Sequence, residues 1–301
     1  PQIEQDIQST EKACAKFVKK FRNSDFTSNP TTLLNALKSL NEMDENPSLA
    51  KPVRYLGLLS ALDATDEAVN KKLNLVSQRL TKADNSLLFF GLSLAKTSKA
   101  NQKKFLISPS LAAYTYYLKS VFQDAQYHLS EAEEKILSLT GGCSYGMWVE
   151  ATERMLGKKT VTHNKKIIPL NEAVDAIGNL NFKDRPKLWK KVMEEMATLA
   201  EVVENELTAI TTKKKITDEL RGYKKPYTAS VINHEDSEKS VEALIEAVST
   251  KGFALSKKFY KLKARLHKVS ALDYSQRSAP IAPAPSINFA QATEICRDVF
   301  Y

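Results

Sequence analysis

Apolar positions recur every three or four residues along most of this chain, the spacing that gathers them on one face of a helix. From Ile3 to Phe21, the residues Ile3, Ile7, Cys14, Phe17, Val18 and Phe21 share a face and predict a first helix. Asn29 and Pro30 predict the start of a second, with Pro30 suited to the first turn and Leu33, Leu34, Leu37 and Leu40 as its stripe. A third is expected to start at Pro47 or Ser48 and run through Leu56, Leu59 and Leu62. Thr65 and Glu67 open a long fourth marked by Val69, Leu73, Val76 and Leu80. Its continuation, Leu87 to Leu94, is apolar on nearly all sides and is expected to be buried on more than one. Ser108 and Pro109 break the pattern, and Leu111, Tyr114, Leu118, Val121 and Phe122 form the face of the next helix.

The stretch "HLSEAEEKILSLTGG", His128 to Gly142, reads as a helix with both ends marked. Ser130 is a good N-cap and Glu133, three residues on, completes a capping box. Ile136, Leu137 and Leu139 supply an apolar face, and Gly141 is expected to end the helix in the left-handed conformation. A further helix runs from Val149 to Leu156, after Trp148. The β signal is "KKTVTHNKKIIPL", Lys158 to Leu170, where two β-branched runs flank His163 and Asn164 and predict a hairpin. From Asp184 the helical period returns, and Leu188, Val192, Met196, Leu199, Val203, Leu207 and Ile210 predict one long helix. Asp236 or Ser237 caps the next, with Val241, Leu244, Ile245 and Val248 as an expected buried stripe. Lys251 to Lys268 is a basic amphipathic helix bearing Phe259, Tyr260, Leu262 and Leu266. "APIAPAPS", Ala279 to Ser286, reads as an extended connector. Asn288 then caps a last helix with Phe289, Ala292, Ile295, Cys296, Val299 and Phe300 on its apolar side. The pattern predicts an all-α, mainly helical fold, a multi-helix lobe with one short β-hairpin near 158–170. A first residue that is proline and an end inside an amphipathic segment raise the expectation of a longer parent protein.

Composition narrows the picture. The 301 residues suffice for one large domain or two ordinary ones, and 43% apolar with 26% charged residues is ordinary for a soluble globular chain. No run approaches the roughly 20 apolar residues of a membrane span, and nothing at the start resembles a secretory leader. Cys14, Cys143 and Cys296 are odd in number and widely spaced, which predicts reduced thiols in a cytoplasmic protein and argues against a cysteine zinc site. The net charge of +9 admits an anionic or nucleic-acid partner without requiring one.

Catalytic patterns are missing. The sequence has no GxSxG, GxGxxG or GxxxxGK[ST] motif. "HEDSE" begins like a helical zinc site at His234, but Glu238 stands where the second histidine would be. Glu131, Glu133 and Glu134 lie in a first helical turn, where the helix dipole favours negative charge. The basic helix carries Lys251, Lys257, Lys258, Lys261, Lys263, Arg265 and Lys268 and no acid. It reads as a solvated face, as a cleft wall, or as a surface that tracks phosphates; Phe253, Phe259 and Tyr260 fit core packing better than base stacking. No catalytic, cofactor-binding or metal-ligating residue is assigned.

Several stretches, in order, resemble one family. The segment His128–Gly142 is similar to the "LSxEEE"-type segment of oligoendopeptidase F, a zinc metallopeptidase of the thimet oligopeptidase superfamily. "GMWVEATERML", Gly146 to Leu156, resembles its tryptophan-bearing helix, and the hairpin follows in place. "DRPKLWKKVMEEM", Asp184 to Met196, resembles the family's aspartate followed by an arginine-rich helix, and "RGYKKPYTASV", Arg221 to Val231, its RGY segment. "FYKLKARLHKVSALDYSQRSAPIAP", Phe259 to Pro283, resembles a lysine-rich helix running into an "L…D…AP" turn. Lys268 departs from the pattern where glycine is common, and Ser275 to Ser278 is more polar than usual.

The resemblance spans about Ala113 to Tyr301. It implies an N-terminal helical lobe over 1–112, an oligoendopeptidase F-type N-terminal domain with the hairpin over 113–183, and the start of the peptidase region over 184–301, cut before the zinc motif. The implied parent is a deeply clefted, zincin-like helical peptidase hydrolysing short oligopeptides, with this portion forming one wall of the substrate channel. Zinc is implied for the full-length enzyme and none for these residues, since HExxH and the third glutamate ligand are expected beyond Tyr301. In such enzymes zinc polarises the scissile carbonyl while the motif glutamate takes a proton from the bound water. Without both, these residues are expected to be inactive alone. The implied partners are short peptides and a C-terminal catalytic portion, in the same chain or a separate fragment, with no nucleic acid and no membrane. A non-catalytic helical scaffold or adaptor, and a basic nucleic-acid-binding helical protein, are the alternatives.

Overall fold

The structure is a computed structural model that describes residues 2–46, 49–282 and 286–300. Helix α1 (Gln2–Phe21) is followed by α2 (Pro30–Asp44), where the Asn29 side chain accepts from the Thr31 and Thr32 amides at 3.0 and 3.1 Å. Helix α3 (Lys51–Leu62) begins with Pro52 in its first turn; the start expected at Pro47 or Ser48 lies outside the described residues. Asp66 caps α4 (Glu67–Asn85), accepting from the Ala68 and Val69 amides. The apolar run after it is a separate helix, α5 (Leu88–Ala95), because the chain turns at Ser86 and Leu87. Its Phe89, Phe90, Leu92 and Leu94 are all buried, as a run apolar on every side requires. Helix α6 (Lys99–Ile107), a 3₁₀ turn over Pro109–Tyr114 and α7 (Thr115–Asp124) complete this part.

Helix α8 (Glu131–Gly141) has the expected capping box: Ser130 Oγ accepts from the Glu133 amide at 3.3 Å, and Glu133 accepts from the Ser130 amide at 2.8 Å. Gly141 does not end it. Its φ of −56° is right-handed, and the chain continues through a wide π-type turn, Gly142–Gly146, into α9 (Met147–Gly157). The Cys143 thiol and the Ser144 hydroxyl both bond back to the Thr140 carbonyl, so the local polar groups favour widening the helix over leaving it.

Strands β1 (Thr160–His163) and β2 (Lys166–Pro169) pair antiparallel, with Val161 opposite Ile168. The two turn residues, Asn164 and Lys165, have φ of 51° and 63°, the conformation a two-residue hairpin with native twist demands. A helix the periodicity reading does not contain, α10 (Leu170–Asn179), follows directly. The long helix expected from Leu188 to Ile210 is two: α11 (Arg185–Ala197) and α12 (Ala200–Arg221). They part at Thr198 and Leu199, where the Thr198 hydroxyl bonds the Glu195 carbonyl at 2.6 Å and competes with the helical pattern. Then come α13 (Thr228–Asn233), α14 (Glu238–Ala247) capped by Ser237, and a second π-type turn, Val248–Gly252. This turn leads into α15 (Phe253–Leu266), and α16 (Phe289–Phe300) is started by reciprocal bonds between Asn288 and Gln291. The middle of the expected proline-rich connector, residues 283–285, lies outside the described residues.

The fold gathers into two compact units: residues up to Lys158 with Leu199–His234, and Lys159–Thr198 with Glu235 onward. The chain therefore passes between units at 158, 198 and 234. The first unit is centred on an aromatic core. Phe17 packs on Phe21 at 4.8 Å between ring centroids, and Phe26 stacks on Phe90 at 4.7 Å. Leu33, Leu37, Leu94, Phe105, Leu111 and Leu118 close around these rings. Each such side chain contributes about 1.5–3 kcal/mol on burial. In the second unit β1 packs against α10 and α11, burying Val161, Leu170, Ala173, Ile177, Leu188 and Val192.

Burial is uneven. None of the residues of α8, α12, α14 or α16 is fully buried. In the expected stripe, Leu244 and Ile245 of α14 and Val248 of the turn after it are exposed, as are Ile136 and Leu139 of α8 and Phe253, Phe259, Tyr260, Leu262 and Leu266 of α15. The helical period is present in each case. A period groups residues on a face but does not require another element of the same chain to cover it. Phe289 and Phe300 of α16 are 89% and 78% exposed.

Candidate functional site

In the second unit, a groove of about 700 Å³ runs between α15 and the loop that follows it. Phe253, Tyr260 and Ala264 from the helix, with Leu272 and Tyr274 from the loop, form its apolar walls. Phe253, Tyr260 and Ala264 are spaced seven and four residues apart, so one face of α15 lines the groove. Lys257 and Lys261, one turn apart, stand on that same face, and Arg277 stands opposite on the loop. No described acid pairs with Lys257 or Lys261. The Arg277 guanidinium lies over the Tyr274 ring at 4.1 Å. The groove's acid, Asp273, accepts from the Ser275 hydroxyl and amide, and these bonds hold its carboxyl below the ordinary range.

The loop wall is held by polar contacts from several directions. Helix α15 ends in a Schellman motif: the Val269 amide donates to the Ala264 carbonyl and the Lys268 amide to that of Arg265. Lys268 occupies the left-handed position with φ of 57°, the place where glycine fits without strain. The buried Lys263 ammonium donates to the Arg277 carbonyl at 2.6 Å, and the Gln276 amide to the Phe182 carbonyl at 3.0 Å. Arg185, 1% exposed, donates to the carbonyls of Gly178 and Leu180 at 2.6 and 3.1 Å and to Ser278 Oγ at 3.2 Å. Among the described residues no carboxylate pairs with it. The negative end of α10 supplies the compensation, since Gly178 and Leu180 carry its last carbonyls.

In the first unit the acidic cluster of α8 is structural. Glu131 accepts from Arg22 at 2.8 Å and from Lys135, and these bonds bring its pKa down to about 2. Glu133 completes the capping box. Glu134 forms a two-point ion pair with Arg221 at 2.8 and 2.7 Å and accepts from the Leu129 amide. Burial pushes the Glu134 carboxyl up, but these bonds outweigh it and its pKa lies below the ordinary value. Arg221 also donates to the Tyr127 carbonyl, and Tyr223 packs on Tyr127 at 4.7 Å. Gly222 between them takes φ of 72°, ending α12 in the same Schellman geometry as Lys268. The RGY segment therefore clamps the start of α8.

The histidines stay apart. His163 sits in the hairpin beside Asn164, His234 Nδ1 lies 2.7 Å from the Ser230 carbonyl, and His267 stacks on Phe182 at 4.2 Å. His128 Nδ1 is buried without a partner. Among the described residues no three His, Cys, Asp or Glu side chains form a group that could hold a metal ion, so the donor set here does not fit a zinc centre. Burial, then Asp84 and Asp44, push the Cys14 thiol up, leaving it an unreactive core side chain. The basic helix was legible in the sequence; Arg185, Tyr274 and Arg277 were not, because their roles depend on contacts from distant parts of the chain. "DRP" at Asp184–Pro186 was the available signal for Arg185.

The fold, mainly helical with one hairpin, is similar to solved peptidase structures. The fold matches the crystal structure of oligoendopeptidase-F from Enterococcus faecium with a TM-score of 0.75 at 15% identity, over 98% of this chain and 58% of that one. It matches a candidate peptidase from Chlamydophila abortus with a TM-score of 0.64 at 17% identity, over 98% of this chain and 52% of that one. The chain thus spans between one half and three fifths of the length of either protein. Residues 94–157 match the N-terminal family model described as Oligopeptidase F. The family match is confined to residues 94–157, and beyond it the likeness to the oligoendopeptidase is one of fold. No curated protein matches the chain. Among the described residues no helix is long and apolar enough to cross a membrane.

Proposed function

We propose that this chain is the N-terminal, channel-forming portion of a cytoplasmic zinc metalloendopeptidase that hydrolyses short oligopeptides. The observation that carries the reading is the family match at 94–157, set in a fold that follows an oligoendopeptidase over 98% of the chain. The uncovered apolar faces of α14 and α16 agree with it, since a large catalytic portion packing there would bury them. The zinc ligands and the general base belong to that other portion, and these 301 residues bind but do not cleave. The test has two steps. The coding sequence downstream of Tyr301 is read for an HExxH motif, and the 301-residue chain is assayed on a quenched-fluorescent peptide alone and joined to that downstream portion. The reading expects the motif, no cleavage by the chain alone, and chelator-sensitive cleavage by the joined protein. A stop codon with no separate catalytic partner would favour a helical scaffold, and zinc-dependent cleavage by the chain alone would refute the division of labour.

A further inference from the structure

We infer that the groove beside α15 captures the C-terminal carboxylate of a peptide whose last residue is large and apolar. The inference rests on the peptidase reading only for the ligand being a peptide. Three observations carry it. The first is charge: Lys257, Lys261 and Arg277 face one groove against a single carboxylate, Asp273, so the groove keeps an excess of positive charge. The second is pre-organisation. Arg277 lies over the Tyr274 ring at 4.1 Å and makes no side-chain hydrogen bond among the described residues, so its N–H groups are free to grip a carboxylate. Its backbone is pinned by Lys263, and the next residue, Ser278, by Arg185. The third is size and lining. About 700 Å³ lies within the roughly 300–1,000 Å³ of small-ligand pockets, with Phe253, Tyr260 and Tyr274 offering apolar surface beside the cations.

A nucleic acid fits less well. Phosphate tracking needs a continuous row of cations, yet Lys258, Arg265 and Lys268 lie off the groove face and Lys263 is committed to the Arg277 carbonyl. The cations on the groove are a local trio, suited to one carboxylate.

The test uses the full 301-residue chain. Trp189 lies 5.3 Å from Tyr274, so its emission reports on the groove, and calorimetry gives the affinity independently. The probes are Ala-Ala-Phe as the free acid, the same peptide as its C-terminal amide, and a single-stranded oligonucleotide. The free acid is expected to bind about tenfold more tightly than the amide. Arg277→Gln, or the double substitution of Lys257→Gln with Lys261→Gln, is expected to bring the acid-to-amide ratio close to one. Lys258→Gln, on the same helix but off the groove, is expected to leave it unchanged. The double lysine variant alters only solvent-facing side chains and carries the test should Arg277→Gln disturb the loop. Equal binding of acid and amide, no binding of either, a loss with Lys258→Gln as large as with the groove variants, or tighter and steeply salt-dependent oligonucleotide binding would each overturn the inference. The assay involves no cleavage, so its failure leaves the peptidase reading standing, and absence of hydrolysis leaves the binding result standing.

Discussion

Replacing Arg185 with methionine removes a buried guanidinium while roughly keeping its volume and apolar stem. The structure sets the scale of the loss. Two carbonyls at the end of α10, those of Gly178 and Leu180, lose their donor, and Ser278 loses the bond that ties its loop to this corner. A hydrogen bond from a charged donor contributes about 1.5–3 kcal/mol, so the two to carbonyls contribute about 3–6 kcal/mol, of which the exposed Gly178 and half-buried Leu180 recover part from water. Against this, the variant no longer has to desolvate a charge, a relief of several kcal/mol in real proteins that is largely met here by the helix end. The net expectation for Arg185→Met is a loss of about 2–4 kcal/mol. Arg185→Lys keeps the charge but offers a single point donor in place of a planar fork, and is expected to lose about half as much. The assay is urea unfolding in a Trp148→Phe background, which leaves Trp189, on α11 directly after the Arg185 turn, as the tryptophan reporter. A loss below about 1 kcal/mol for Arg185→Met, or full rescue by Arg185→Lys, would refute the account of Arg185 as a fork that holds the end of α10 and the groove loop together.

Other consequences follow from the same geometry. Lys268→Gly relieves a left-handed lysine and is expected to stabilise the protein by up to about 1 kcal/mol, while Gly222→Ala, in the matching motif, is expected to cost about 1–2 kcal/mol; paired thermal melts check the opposite signs. Glu134→Gln breaks the two-point pair with Arg221 and is expected to cost about 1–3 kcal/mol at neutral pH, read by urea unfolding. Glu131 has its pKa lowered from 4.5 to about 2, so the stability it contributes is fully present above pH 4.5 and is lost as pH falls toward 2. Glu131→Gln is expected to flatten that limb of the stability–pH curve. Phe17→Ala opens the aromatic core and is expected to cost about 3–5 kcal/mol, measured by the same unfolding.

What the sequence revealed was mostly local. Asn29, Ser130, Ser237 and Asn288 cap helices as their residue types and spacing indicate, because a cap bonds amides only two or three residues away. The hairpin was legible for the same reason, though its turn falls at Asn164 and Lys165, one residue beyond the expected His163 and Asn164. Gly141 was not, since glycine is at ease on either side of the map and the bonds to the Thr140 carbonyl decide the matter. The split at Thr198 was hidden because Met196, Leu199 and Val203 keep the helical period across a break in the backbone. The stripe of α14 and the aromatic residues of α15 were read correctly as faces and wrongly as covered ones, because periodicity carries no information about what lies opposite. The basic helix was ambiguous until the groove separated Lys257 and Lys261 from Lys258 and Arg265. The groove itself depends on contacts such as Arg185 to Ser278, 93 residues apart, which no local pattern encodes.

Cleavage of a quenched-fluorescent oligopeptide by this chain mixed with, or fused to, its downstream portion tests the central claim most directly. The account predicts no turnover by the 301 residues, turnover on reconstitution, and its loss on chelation with recovery on adding zinc. Turnover by the 301 residues alone, or a reconstituted protein that binds zinc and leaves the peptide intact, would contradict it.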